Sequence, residues 1–472
     1  MRFLLGFILM MSCLAGCTVG PDYTRPSVDV PAVYRFEEKE AMNSANTLWW
    51  RQFEDPILDA LIDETLAYNK DIQLATANIE KAAGTLMQSR SQIFPQFNYS
   101  GGGTRQRGSE AGASAVPQTY PNPQTAIQGQ AGASWEIDLW GRIQRLTESA
   151  QASLLATEEA RQGVILSLVS SVASNYIQIL GLDMQLKIAK RTLETYAESV
   201  KLFDLQFRYG QVSQMTLEQA RTQYETAAGK IPQIESQIAQ TENALSILLG
   251  RNPGPIARTQ TIFQLKIPEI PEGVPSDVLE NRPDIREAEQ NLIAANAQIG
   301  AARALYFPTI SLTGAYGASS AELSNLFTGS ARAWSYAGSI TGPIFTAGSI
   351  AGQVKYAEAN RQAAIVSYEK AIQNAFADVE NALVSRRKLA EQLRAQQRLV
   401  KASKEYERLA LLQYKGGYAT YLTVLDAQQQ LFPAELDYAQ YLASSFASYV
   451  NIYKAMGGGW VTESENLYLN LE

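Results

Sequence analysis

Few residues in this chain could carry out chemistry. It has no histidine, and its cysteines are Cys13 and Cys17 alone, which excludes histidine-based zinc sites, Cys-His dyads and Ser-His-Asp triads. No G-x-x-x-x-G-K-[ST] phosphate loop occurs, and no paired acids converge on a recognisable pocket, so nothing points to an enzyme, a cofactor or a metal centre. What remains is electrostatic. In "QYKGGYATYLTVLDAQQQLF" a helical pattern stops at Gly416 and Gly417, restarts at Thr420 and places Asp426 within two turns of the restart. At helical spacing Thr423, Asp426, Gln430 and Asp437 form a polar stripe, and Leu422, Leu425 and Phe432 form an apolar one. Such a carboxylate either complements the positive end of its own helix, worth ~0.3–1 kcal/mol, or lines a pore and attracts cations.

The second distinctive residue is Cys17. "MRFLLGFILMMSCLAGC" has one positive charge at Arg2, an apolar run and a small-residue ending, the pattern of a secretory signal too short to span a bilayer. Its last four residues, Leu14-Ala15-Gly16-Cys17, resemble the bacterial lipoprotein box, which implies lipidation of Cys17 as the first mature residue. Thr18, where an aspartate would signal retention at the inner membrane, points by the same analogy to the outer membrane. Charge argues against a nucleic-acid binder: the net charge is -7 and no Lys/Arg-rich segment tracks a helix face.

An internal repeat positions these residues. Leu66 to Gly101 aligns without a gap on Leu279 to Gly314, with ten identities over 36 positions, among them Asp71/Asp284, Ala82/Ala295, Phe94/Phe307 and Pro95/Pro308. Farther on, "GQVSQMTLEQAR" from Gly210 falls on "GYATYLTVLDAQ" from Gly417. Each copy reads as helix, two strands, a very long helix, a tight break and another helix. After each Phe-Pro pair the period changes from 3.6 to 2. Ile310, Leu312 and Tyr316 oppose Ser311 and Thr313; Trp334, Tyr336 and Ile340 oppose Ser335, Ser339 and Thr341. The first copy repeats this with Phe97 and Tyr99, then Trp135, Ile137 and Leu139 against Glu136 and Asp138. That alternation fits either a transmembrane β-barrel wall or a half-buried soluble sheet. Four strands cannot close a barrel, and an open sheet leaves two bare edges, so several chains must share one. Counting alone leaves two, three or four chains open.

The long helices run from Gly141 to Arg208 and from Ala347 to Tyr414 without a proline, rods of roughly 100 Å at 1.5 Å per residue. Their apolar positions keep 3 and 4 spacing, as in coiled-coil walls. They must turn back at Gly210 with Ser213 and at Gly416, Gly417 and Thr420, where glycine supplies the left-handed conformation and Ser or Thr caps the next helix. Pro232 and Pro433 fall inside the returning helices and are expected to kink them.

With "CTVGPDYTRP", "WWRQFEDPILDALIDETLAYNKDIQLA", "WEIDLWGR", "NRPDIREAE" and "YLTVLDAQ" in this order along the chain, the sequence resembles the TolC family of outer-membrane efflux channels, in its OprM-like lipoprotein branch. The resemblance implies a mainly α fold with a membrane β-barrel: a homotrimer with a shared twelve-stranded barrel and a periplasmic tunnel of antiparallel coiled-coil-like helices. It implies a division into signal 1–16, lipid-anchored segment 17–56, helix 57–94, strands 95–140, tunnel helices 141–249, an equatorial linker 250–278, helix 279–308, strands 309–346, tunnel helices 347–456 and C-terminal segment 457–472. It also implies partners: outer-membrane lipid, a periplasmic adaptor that meets the turns at Gly210, Ser213, Gly416, Gly417 and Thr420, and an inner-membrane pump of RND type. The implied activity is passive export of drugs or other small molecules through a gate formed by Asp426, Tyr414, Thr423, Gln429 and Gln430. Three copies of Asp426 would meet there. Relatives carry an aspartate where Thr423 stands and arginines where Ala419 and Gln429 stand, so this gate is expected to rely on hydrogen bonds and one carboxylate ring. Export of metal ions or secreted protein on the same fold, or a non-conducting envelope lipoprotein, are the alternatives.

Overall fold

A computed structural model of the chain describes residues 18–27, 48–109, 111, 121–268 and 280–458. Cys17, the signal over 1–16 and all but the first two residues of the segment 457–472 lie outside them. The helices are α1 (Pro56–Tyr68), α2 (Lys70–Ser91), α3 (Arg142–Arg208), α4 (Gln214–Leu248), α5 (Pro283–Ala304), α6 (Ser349–Lys415) and α7 (Tyr421–Ala455). The strands are β1 (Gln96–Gln106), β2 (Gln124–Ile137), β3 (Thr309–Ser320) and β4 (Arg332–Thr341). The chain divides into two compact units: Met1–Ser27, Asn78–Thr157 and Ala288–Tyr368 form one, and Val28–Ala77, Glu158–Glu287 and Glu369–Glu472 form the other.

Local signals explain the boundaries. Asp55 caps α1, its Oδ1 accepting from the Ile57 and Leu58 amides at 2.9 and 3.3 Å, and Pro56 takes the first helical position, where its missing N–H costs nothing. The helix expected over 57–94 is two helices. Asn69 adopts extended backbone, and its Oδ1 accepts from the amides of Asp71 and Ile72 at 2.7 and 3.1 Å, capping α2. Both α3 and α6 run unbroken for 67 residues, about 100 Å each.

The first unit contains a four-stranded antiparallel sheet in the order β1-β2-β3-β4. Its register sets Trp135 opposite Leu312, Ile137 and Ile340 on either side of Ile310, and Tyr316 opposite Trp334. Phe97 and Tyr99 on β1 lie across from Ala133 and Ala131. One face therefore gathers the aromatic and aliphatic residues; the other carries Gln130, Ser134, Glu136, Ser311, Thr313, Ser335 and Ser339. The apolar face is uncovered: Phe97, Tyr99 and Tyr336 are 82, 92 and 79 % exposed. In the same unit residues 18–27 lie against the start of α3 and α5. Asp22 accepts from Arg145 at 2.7 Å, Pro21 O accepts from Asn296 at 2.9 Å, and Glu289 takes hydrogen bonds from Tyr23 and Arg25 at 2.9 and 2.7 Å. Gly20, at φ 113°, sits so close to Gly300 that a Cβ on it would stand 2.5 Å from the Gly300 Cα.

The second unit is built around Trp49, Trp50 and Phe53, packed with Val172, Tyr176 and Tyr453; Trp49 stacks on Tyr453 at 5.2 Å. Buried Asp55 also accepts from the Tyr176 hydroxyl at 2.8 Å. Burial, and then this bond to a carboxylate, raise the Tyr176 phenol well above its usual pKa. Farther along, α3 and α7 pack through small and aromatic residues. A Cβ on Gly181 would meet that of Ala443 at 2.7 Å, the Tyr196 hydroxyl donates to Gln428 O at 3.3 Å, and the rings of Phe203 and Tyr421 are 4.0 Å apart. The Glu435 carboxylate, 6 % exposed, pairs with both Arg191 and Lys404.

Candidate gate at the helical turns

Two helix-to-helix turns close the second unit's long helices, and both are built on hydrogen-bonded glycine caps. In the first, Gly210 has φ 72° and the Gln211 amide reaches back to Gln206 O at 2.8 Å. In the second, Gly417 has φ 75° and the Tyr418 amide donates to Gln413 O at 2.9 Å. The left-handed position is thus Gly417; Gly416 is small for another reason, since a Cβ there would stand 2.9 Å from the Tyr418 ring. The restarts differ. Ser213 caps α4 through its side chain, which accepts from the Thr216 amide at 3.4 Å. Thr420 occupies the same position before α7 but makes no side-chain cap, and the Thr423 amide is met by the Thr420 carbonyl at 3.1 Å.

Behind the turns lies an apolar cluster of Phe203, Leu217, Ala220, Ala410, Tyr421, Val424 and Leu425. Tyr414 belongs to it, its ring 5.6 Å from Tyr421 and 6.4 Å from Phe203. The expected gate residues therefore separate: Tyr414 is part of the packed wall, whereas Thr423, Asp426 and Gln429 border an open groove of about 520 Å³ together with Gln219, Thr222 and Gln223 of α4. Leu422, expected on the apolar stripe with Leu425 and Phe432, is 62 % exposed and lines this groove. It stands one turn before Asp426, so helical geometry places it on the polar face.

Asp426 is held within its own chain. Its Oδ2 accepts from the Tyr406 hydroxyl at 2.8 Å and from Gln430 Nε2 at 3.0 Å. Tyr406, on α6, is the partner that sequence spacing did not reveal, since it approaches Asp426 from across the turn. The bond to the Asp426 carboxylate raises the Tyr406 phenol above its ordinary range. The groove has one carboxylate, Asp426, among hydroxyls, amides and leucines. At the first turn Glu218 pairs with Arg221 at 2.9 Å, and Asp204 with Arg208 at 2.7 Å, an ordinary surface network.

Comparison with known proteins identifies the family. A family described as outer membrane efflux protein matches residues 61–251 and 274–458. The toluene efflux pump outer membrane protein TtgC of Pseudomonas putida is 37 % identical over 474 residues, 98 % of this chain and 97 % of that protein. The cation efflux system protein CusC of Escherichia coli is 36 % identical over 458 residues, 95 % of this chain and 96 % of its own. The crystal structure of the open state of the Neisseria gonorrhoeae MtrE outer membrane channel superposes with a TM-score of 0.85 at 33 % identity, over 94 % of this chain and 99 % of MtrE. The chain therefore belongs to the outer membrane efflux protein family.

Proposed function

We propose that three copies of the chain form one outer-membrane exit duct, twelve strands closing a barrel and the α3, α4, α6 and α7 helices forming a periplasmic tunnel. Cys17 is lipidated and anchors each copy. The turns at Gly210, Ser213, Gly416, Gly417 and Thr420 receive a periplasmic adaptor, which couples the duct to an inner-membrane pump of RND type. Asp426, with Thr423, Gln429 and Gln430 beside it and Tyr414 in the wall behind, forms the constriction. The chain breaks no bonds; it conducts.

The observation that carries this reading is the open sheet. Its outer strands β1 and β4 each have one unpaired edge, its apolar face is aromatic and exposed, and its other face is small and polar. Bare edges beside such a face favour pairing with further copies into a closed wall in lipid. Drugs or other small organic molecules are the cargo we favour over metal ions, because a chain with no histidine and two cysteines offers few soft ligands. Loss of the gene should raise intracellular accumulation of dyes and antibiotics, and the adaptor should copurify with the channel. Unchanged accumulation, with metal sensitivity appearing instead, would move the cargo to cations.

A further inference from the structure

The four strands hold three charged side chains, Arg105 on β1, Glu136 on β2 and Arg332 on β4, and their placement is uneven. Alternation puts Arg105 on the apolar face with Phe97 and Tyr99, and Arg332 on the same face with Trp334, Tyr336 and Ile340. Glu136 lies on the polar face at the opposite end of the sheet, where it accepts from Arg142 at 3.0 Å. No carboxylate of the strands therefore shares a face with either arginine. Both arginines are exposed, and among the described residues neither has an ion pair.

The two stand at one height. Gln96, where β1 begins, lies in one row with Ser134, Thr313 and Ala337, and β4 continues four residues past that row to Thr341, so the strand ends that lead to the helices are staggered. Counted from those ends, Arg105 is the tenth residue from Gln96 and Arg332 the tenth from Thr341. Nine steps of ~3.4 Å on strands tilted by ~40° climb ~24 Å, about the height of the apolar band of an outer-membrane barrel. An arginine facing lipid is costly at the bilayer midplane and nearly free at its interface. Both arginines thus fall at the interface beside the β1–β2 and β3–β4 loops, the outer leaflet of a barrel whose helices extend into the periplasm. When β4 of one copy meets β1 of the next, Arg332 and Arg105 stand on strands ~4.8 Å apart, like charges that repel unless an anion lies between them.

Building on the multi-copy reading above, we propose that Arg332 of one copy and Arg105 of the next form a site for the phosphate of an outer-leaflet lipid, a phosphorylated saccharolipid of the lipid A type. Two guanidinium forks share the phosphate oxygens, and the acyl chains lie along the aromatic face below, at Trp334, Tyr336 and Tyr99. Binding of bisphosphorylated lipid A to the purified full-length oligomer in non-ionic detergent, read as lipid retained per chain by mass spectrometry, tests it. The wild type should bind saturably and more weakly as salt rises. Arg105→Gln and Arg332→Gln should weaken binding about fivefold each and about twentyfold together, in line with the pull of one cation near an anionic lipid surface; the single variants keep the test decisive where the double variant does not assemble. The double Arg→Lys variant, which keeps charge without the fork, should fall between, and Arg208→Gln at the first turn should bind as the wild type does. Unchanged affinity in the single and double glutamine variants, full binding of dephosphorylated lipid A, or equal binding of phosphatidylglycerol overturns the site. A wild-type chain that stays monomeric by light scattering overturns the multi-copy reading beneath it instead.

Discussion

At the scale of single residues, the lone carboxylate of the second turn is held from the side rather than left free. Tyr406 and Gln430 both donate to one oxygen of Asp426, a residue that borders the groove. Tyr406→Phe should release the side chain and change ion selectivity and divalent-cation block in reconstituted channels, whereas Asp426→Ala should abolish that block; unchanged selectivity in both would remove Asp426 from the constriction. Tyr176 makes a different prediction. Its phenol is raised well above the normal value near 10, so the folded chain keeps the proton where the unfolded chain loses it, and this contribution to stability is present below about pH 10 and declines above it. Tyr176→Phe orphans one buried oxygen of Asp55 and should cost about 1–3 kcal/mol, read as a lower thermal midpoint with a weaker alkaline fall. Asp426 was legible from its spacing after the turn. Tyr406 was not, because a partner across a helix reversal leaves no periodic mark, and Leu422 was misplaced by grouping residues by type before helical angle.

At the scale of elements, turns and strands follow from local chemistry. Ser213 caps α4 with its side chain and Thr420 does not cap α7, so Ser213→Ala should cost about 1 kcal/mol and Thr420→Ala little. Hydrogen exchange in the first turn of each helix checks the difference. Gly417, with φ 75°, should resist alanine by about 1–2 kcal/mol, the cost of the left-handed region for a Cβ, and Gly417→Ala should loosen the same turn. The glycine breaks, the Phe-Pro ends of the helices and the period-2 strands were all readable because each rests on backbone rules. The break at Asn69 was hidden, since an asparagine between helical segments looks like one more polar surface position until its side chain is seen capping Asp71 and Ile72.

At the scale of the whole molecule, the chain belongs to the outer membrane efflux protein family, and its open sheet is what the multi-copy proposal rests on. The repeat gives four strands in one open sheet, with β1 and β4 at its edges. The duplication was legible because Leu66 to Gly101 aligns without a gap on Leu279 to Gly314 at ten identical positions, and the two long helices match it at 67 residues each. How many copies close the ring was not legible, because strand counting sets only a minimum. Current through purified, lipid-reconstituted protein in a planar bilayer tests the central claim most directly. The expected result is long-lived unitary conductance steps, sensitive to divalent cations in the wild type and insensitive in Asp426→Ala. Folded oligomer that inserts into the bilayer yet passes no current would contradict it.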